Sequence, residues 1–302
     1  MNRSLKIALA LLAVPGVVVS SLVVAQNQNR IITIKGRYSG DLRMGPYSFK
    51  GDVQASVQNL QITAPEATLK APDKLEMSQA QGKRTATFTG NVTVTRGRMT
   101  ANGPGLEYKE ETGLGVLSGP TKVIQKPEKA GDDDVIITSQ GSTFDVDTDV
   151  STSRGSVKLV NGNQSGTADR TTFDEKADLA CLTDPTKVVL VREPKKQGEN
   201  KLTINAKESR MLTDKKLLIA TGGVTLISGG NTTTGDALYY DDNTSVAYVV
   251  GSSGKPAKNV NEKTGSTVVG GTIERNINRN QVKQAGQTFA IPFDKFKCPT
   301  DK

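Results

Sequence analysis

From residue 31 onward, apolar and polar residues alternate with the period of two that puts every second side chain of a β-strand on one face. The alternation recurs as three copies of one pattern, at Thr89-Gly90-Asn91-Val92-Thr93-Val94, Arg154-Gly155-Ser156-Val157-Lys158-Leu159 and Thr221-Gly222-Gly223-Val224-Thr225-Leu226, with the first glycines 65 and 67 residues apart. Val92 and Val94, Val157 and Leu159, and Val224 and Leu226 then share one face, which Phe88 and Leu218 extend upstream of the glycine. Eighteen residues after each of these glycines comes an aromatic followed by polar residues: Tyr108-Lys109-Glu110, Phe173-Asp174-Glu175 and Tyr240-Asp241-Asp242. A third landmark follows as Pro120-Thr121-Lys122-Val123, Pro185-Thr186-Lys187-Val188 and, more loosely, Pro256-Ala257-Lys258. Three landmarks in constant order mark a stacked repeat architecture.

Each landmark has a physical reading. A glycine inside a strand marks a bulge, a bend or a close backbone approach. The aromatic followed by acids is a strand end feeding a turn, and the proline suits the first residue of a strand. The polar stretches 126–134, 192–201 and 251–265 read as solvated loops at one end of the stack, and Asp132-Asp133-Asp134 as a charged turn in preference to a calcium site. The predicted fold is all-β: an elongated stack of about three repeats over residues 81–265. N-terminal capping strands are expected over 26–80 and C-terminal capping strands over 266–302, with Phe289 to Phe296 as a last strand-like segment.

The N-terminus adds a compartment. Arg3 and Lys6 precede an apolar run from Ile7 to Val24, the layout of a signal peptide over residues 1–25 with cleavage after Ala25 and a mature chain starting at Gln26. A retained N-terminal anchor is the alternative, because the run is nearly long enough to span a bilayer. Either way the rest of the chain lies outside the cytoplasm, in the periplasm or cell envelope, with outer-membrane association open. Aromatics at 4 %, no Trp and no His fit strands joined by tight turns. The formal charge of +8 suits anionic envelope surfaces, but no compact Lys/Arg stripe with interleaved aromatics points to nucleic acid. Cys181 and Cys298 leave two readings open in an oxidising compartment, a disulfide or a small buried thiol at Cys181. Without His or CxxC spacing they do not suggest zinc, and no cofactor is called for.

The units from Thr89 to Tyr108 and from Ala206 to Tyr240 resemble the OstA/LptA-like family of periplasmic proteins, which includes the N-terminal domain of the outer-membrane lipopolysaccharide-assembly protein. The likeness is carried by Thr89-Gly90-Asn91-Val92 and by Ala237-Leu238-Tyr239-Tyr240-Asp241-Asp242-Asn243-Thr244, and it extends over roughly residues 60–260 with the middle copy most divergent. The resemblance implies an open, twisted β-jelly-roll of V-shaped layers whose apolar groove carries the acyl chains of an amphiphile between membranes. On that reading Phe88, Val92, Val94, Val157, Leu159, Val224 and Leu226 line the groove. The resemblance also implies edge-strand association with other envelope or lipid-transport proteins, and head-to-tail association of copies.

Catalysis finds little support, because the absence of histidine removes the Ser-His-Asp and Cys-His arrangements. Asp145, Asp147 and Asp149 alternate as if on one strand face, which leaves a glycan-active enzyme as a distant third reading. The leading expectation is a non-enzymatic envelope protein that binds or bridges a lipopolysaccharide-like lipid between inner and outer membranes. A structural scaffold subunit of an outer-envelope complex is the alternative.

Overall fold

The computed structural model describes residues 29–252 and 254–301, so the expected signal segment, its cleavage at Ala25 and the start at Gln26 lie outside the described residues. The chain forms strands β1 (Thr33–Ser39), β2 (Tyr47–Val57), β3 (Leu60–Lys70), β4 (Thr85–Arg96), β5 (Met99–Lys109), β6 (Leu114–Gln125), β7 (Val135–Asp145), β8 (Val150–Asn161) and β9 (Gln164–Asp174). It continues through β10 (Leu179–Arg192), β11 (Leu202–Leu212), β12 (Leu217–Ser228) and β13 (Asn231–Asp241). Shorter pieces follow: β14 (Val246–Val250), β15 (Ala257–Asn261), β16 (Thr267–Gly270), β17 (Thr272–Asn276) and β18 (Gln281–Gln284). From β1 to β13 every strand pairs antiparallel with the next, a single long meander. The two halves of β13 then pair separately, one with β14 and the other with β15.

Most long strands break register near their middle, as between Thr89 and Val92 in β4 and between Arg154 and Val157 in β8. The repeat glycines sit at these breaks in the left-handed region, Gly90 at φ 81°, Gly155 at 77° and Gly222 at 84°, where a side chain would be strained. Of the landmark prolines, Pro256 directly precedes β15 as expected, whereas the other two belong to the same bends. Pro120 lies inside β6 at its register shift and Pro185 inside β10, not at strand starts, because a bulge frees the ladder of the missing N–H just as a strand start does. Val92, Val157 and Val224 each follow the bend by two residues and face a small partner, Gly103, Ala168 and Gly235. A Cβ at Gly103 would come within 2.8 Å of Leu117 Cγ, so these small residues let the next strand pack close.

Each bent strand thus has two arms. One set of arms points Phe49, Phe88, Tyr108, Phe144, Phe173 and Tyr240 inward, and the other Val53, Val94, Val157, Leu159, Leu190 and Val224; all are at most 7 % exposed and belong to one core. A lone curved sheet cannot hide one face so completely, so the aromatic arm and the aliphatic arm bury each other. The result is an elongated all-β jelly-roll.

The sequence expectations shift at the C-terminal end. Residues 257–261, expected as loop, form β15, and Phe289 to Phe296 is not a strand: its end is a short 3-10 helix, Phe293–Phe296. This tail folds back over the outer face of the aromatic arm. Phe289 stacks on Tyr248 with ring centroids 4.1 Å apart, and Phe296 enters a second apolar cluster with Leu179, Leu212 and Ile219. A disulfide between Cys298 and Cys181 of β10 pins the tail there.

Candidate functional site

The seven residues expected to line a groove, Phe88, Val92, Val94, Val157, Leu159, Val224 and Leu226, all lie between the arms, none more than 2 % exposed. Their outward neighbours Thr93, Lys158 and Thr225 are half-buried or exposed. In this conformation the interior around the seven is filled by side chains. An apolar opening between the arms lies directly beside Leu226, whose cross-strand partner is Ile204: a small cleft lined chiefly by Leu190, Leu202, Ile204, Met211 and Leu218, with Arg192, Gln164 and Tyr240 at its polar side. Leu190 follows Val188 in the third landmark with the same parity that marks Val157 and Leu159, the signal by which it could have been found.

The interior changes character along the stack. Around β2 to β5 it is aliphatic and aromatic, whereas β6 to β9 turn hydroxyls inward. Thr121 Oγ1 lies 2.7 Å from Ser139 Oγ and 2.9 Å from Ser142 Oγ, and Ser142 Oγ 3.0 Å from Ser153 Oγ. These buried hydroxyls satisfy one another. Near the C-terminal end Arg275 is fully buried and, among the described residues, bonds only neutral acceptors, Thr233 Oγ1, Asn259 Oδ1 and the Ser228 carbonyl; burial lowers its pKa to about 10.

The free ends of the two arms form a mouth, and ionic contacts bridge it. Arg96 ends β4 with the inward parity of Val92 and Val94, and its guanidinium donates to both carboxylate oxygens of Glu175, in the β9–β10 turn of the opposite arm, at 3.1 and 2.5 Å. It also donates to the Asp145 carbonyl at 2.6 Å. Arg192 ends β10 in the same way after Val188 and Leu190. It donates to Asp242 at 3.0 Å, in the β13–β14 turn, and to Asn278 Oδ1 at 2.8 Å. Tyr240 and Lys195 also donate to Asp242, at 2.7 and 3.1 Å. Glu110, the third acid of the series, is fully buried and collects the backbone N–H groups of Ile32, Gly82 and Arg84 and the Arg84 guanidinium, which ties the N-terminal segment to the array.

The acids two residues after each repeat aromatic, expected as solvated turn residues, are therefore buried ion-pair partners. Burial pushes the Glu175 carboxyl above its ordinary range, outweighing the pull of Arg96. Burial acts on Asp242 too, but hydrogen bonds from Tyr240, Arg192 and Lys195 outweigh it and hold this carboxyl low. Asp145, Asp147 and Asp149 do not share a strand face, because β7 ends at Asp145 and β8 begins at Val150, with Asp149 in the left-handed region at φ 54°. Asp147 takes Arg30 and Asp149 takes Lys176, so these acids serve turn and mouth contacts.

The geometry defines the class, an all-β jelly-roll with an apolar interior and an ion-bridged mouth, and the sequence places the chain within a family. The family described as LptA/(LptD N-terminal domain) LPS transport protein matches residues 41–137 and 73–210, more than half of the chain. The chain belongs to that family. No curated protein matches the sequence. Among solved structures the chain is similar to the crystal structure of LptH, the LptA homologous periplasmic component of the conserved lipopolysaccharide transport device from Pseudomonas aeruginosa. The identity is 14 % and the TM-score 0.37, over 45 % of this chain and 92 % of that one.

Proposed function

We propose that this chain holds an amphiphilic, lipopolysaccharide-like lipid between its two arms and passes or bridges it between the inner and outer membranes. The reading rests on membership of a lipopolysaccharide-transport family together with an apolar cleft that opens between the arms beside Leu190, Leu202, Ile204, Met211 and Leu218. An aliphatic lining with a few polar groups at its margin suits a long-chain ligand. Acyl chains enter at the cleft and extend along the interior past Val224 and Leu226 towards Val157, Leu159, Val92, Val94 and Phe88. The chain works without catalysis, in the periplasm or at the outer membrane. Partner proteins of the same transport system add strands at its ends, where among the described residues β1 pairs only with β2 and β18 only with β17.

Photo-crosslinking side chains at Leu202 and Met211 test the reading, with Thr203 and Lys158 as outward controls and Val157 as a deeper position. Lipid adducts at 202 and 211, weaker ones at 157 and none at the controls are expected from protein isolated with native membranes. Equal labelling of both sets, or none in a folded protein, removes carriage. The closed packing around the seven residues would then favour the scaffold reading, in which the same stack presents its end strands to partners and holds no lipid.

A further inference from the structure

Among the described residues the two most exposed large apolar side chains are Leu42, at 69 %, and Tyr38, at 58 %, and both belong to the β1–β2 hairpin. Met44, at 46 %, joins them within the same short stretch of chain. The loop that carries Leu42 and Met44 is firmly organised. Asp41 Oδ1 accepts from the backbone N–H groups of Arg43 and Met44 at 2.7 and 2.8 Å, and the Gly45 N–H donates to the Asp41 carbonyl at 2.8 Å. The Tyr47 hydroxyl donates to the Leu42 carbonyl at 2.8 Å. The β3–β4 loop braces the tip from the side, with the Met77 N–H donating to the Arg43 carbonyl at 2.9 Å and the Arg43 guanidinium meeting Glu76 at 2.6 Å. A connection that only had to turn in water would do better with polar residues at 42 and 44, so an ordered loop that holds both outward points to an apolar surface that receives them.

The charges of the hairpin narrow what that surface is. Residues 35–50 hold Lys35, Arg37, Arg43 and Lys50 against Asp41 alone. Arg37 and Lys50 are cross-strand partners, and Tyr38 and Phe49 are the next pair, so the two pairs lie on opposite faces of the hairpin. Lys35 and Arg37 have no carboxylate partner among the described residues, and Lys50 reaches Glu66 only at 4.0 Å. Tyr38 rests on Tyr47 and Phe49 with ring centroids 6.1 Å away. At the rise of an extended strand, Arg37 and Lys50 stand about 10 Å behind the tip. That is the depth from an inserted apolar side chain to the headgroup layer, where tyrosine and cations are favoured. An apolar tip backed at this depth by an aromatic ring and unneutralised cations complements a bilayer with an anionic surface.

We propose that the β1–β2 hairpin is a membrane-docking loop: Leu42 and Met44 enter the acyl region of an anionic bilayer, Tyr38 lies at the headgroup level, and Lys35, Arg37 and Lys50 meet the lipid phosphates. The docking holds whether or not the interior of the stack carries lipid.

The chain has no Trp, so Leu42→Trp supplies one indole whose emission reads the tip, and Ile227→Trp, at an exposed position on β12, is the control. Both are followed as vesicles are added to the chain from Gln26 onward, which keeps every described residue and omits an apolar run that would bind membranes by itself. Phosphatidylglycerol vesicles should move the emission at position 42 to the blue and leave that at 227 in place. Partitioning into phosphatidylcholine should be at least about tenfold weaker, because each cation near an anionic surface adds about fivefold. Added to Leu42→Trp, Met44→Ser should weaken partitioning about tenfold on both lipids. Arg37→Gln with Lys50→Gln should do so about tenfold on phosphatidylglycerol alone. None of these exposed changes should move the thermal midpoint. An indole at 42 that ignores vesicles, equal shifts at 42 and 227, or partitioning indifferent to Met44→Ser overturns the docking loop. A blue shift that grows with protein concentration in the absence of lipid overturns it as well, and would give the hairpin to a second copy of the chain.

Discussion

Glu175 and Asp242 hold the same place in successive repeats, two residues past the aromatic that ends β9 and β13, and each meets an arginine from the far end of the opposite arm. Their surroundings differ. Asp242 collects Tyr240, Arg192 and Lys195, whereas Glu175 has Arg96 alone among the described residues, and its equivalent aromatic, Phe173, has no hydroxyl to give. The carboxyl with three donors is held below its ordinary range and the one with a single donor is pushed above it. Burial is common to both, so the donor count decides whether a carboxylate at the mouth keeps its charge. The Asp242 carboxylate holds its charge more firmly than the Glu175 carboxylate does.

The largest consequence concerns removal of the acids. Asp242→Leu takes the acceptor from three donors at once, Arg192, Lys195 and the buried Tyr240 hydroxyl, and although Arg192 keeps Asn278 Oδ1 at 2.8 Å and Glu199 at 3.7 Å, this should cost about 3–5 kcal/mol in denaturant unfolding. Glu175→Leu should cost less, about 1–3 kcal/mol, since Arg96 keeps the Asp145 carbonyl at 2.6 Å and Asp149 at 3.6 Å. A Glu175 variant less stable than the Asp242 variant would reverse the comparison.

Acid separates the two closures more gently. The lowered Asp242 pKa contributes stability that is present above the unfolded carboxylate pKa of about 4 and is lost as pH falls through the still lower folded value. The raised Glu175 pKa works the other way: the fold binds this proton more tightly than the unfolded chain does. Its contribution grows as pH falls from the raised value towards about 4 and is then complete. Unfolding free energies followed from pH 7 downward should therefore differ between variants. Asp242→Asn should flatten part of the wild-type loss below about pH 4, and Glu175→Gln should remove a gain above it. Matching pH profiles for the two variants would show that the carboxylates are equivalent after all.

The arms were legible in the sequence because they follow from parity. Val92, Val157 and Val224 alternate with polar residues, and glycines two residues upstream of them mark the bends. What alternation cannot show is the nature of an inward polar residue. In β8 the parity of Val157 and Leu159 runs back to Ser151 and Ser153, and in β4 that of Val92 and Val94 runs on to Arg96. Serine and arginine at such positions look solvated until a partner is found, and the partners lie tens of residues away in the opposite arm. Glu110, Glu175 and Asp242 carried a usable signal, an acid at the same place in all three copies while the residue before it varies from Lys109 to Asp174 and Asp241. Turn chemistry masked it. The cleft beside Leu190 was illegible for a different reason: whether facing side chains fill the space between two layers depends on the layers together.

The smallest effect isolates the hydroxyl that distinguishes the two closures. Tyr240→Phe keeps the ring, 2 % exposed in the core, and deletes only the 2.7 Å donation to Asp242, which makes this closure resemble the one at Phe173 and Glu175. Loss of one hydrogen bond to a charged group should cost about 1.5–3 kcal/mol if Asp242 stays ionised and nothing replaces the bond, but Arg192 and Lys195 remain, so about 1 kcal/mol is expected. The more telling readout is the Asp242 carboxyl itself, followed by NMR through an acid titration. With one of its three donors gone its pKa should rise towards that of Glu175, and the stability this group loses in acid should be smaller and complete at a higher pH. Tyr108→Phe is the control, because that hydroxyl donates to the Arg30 carbonyl and not to the neighbouring acid. It should leave the Asp242 titration where it was, and an equal shift in both variants would mean that Tyr240 acts through packing and not through its hydrogen bond.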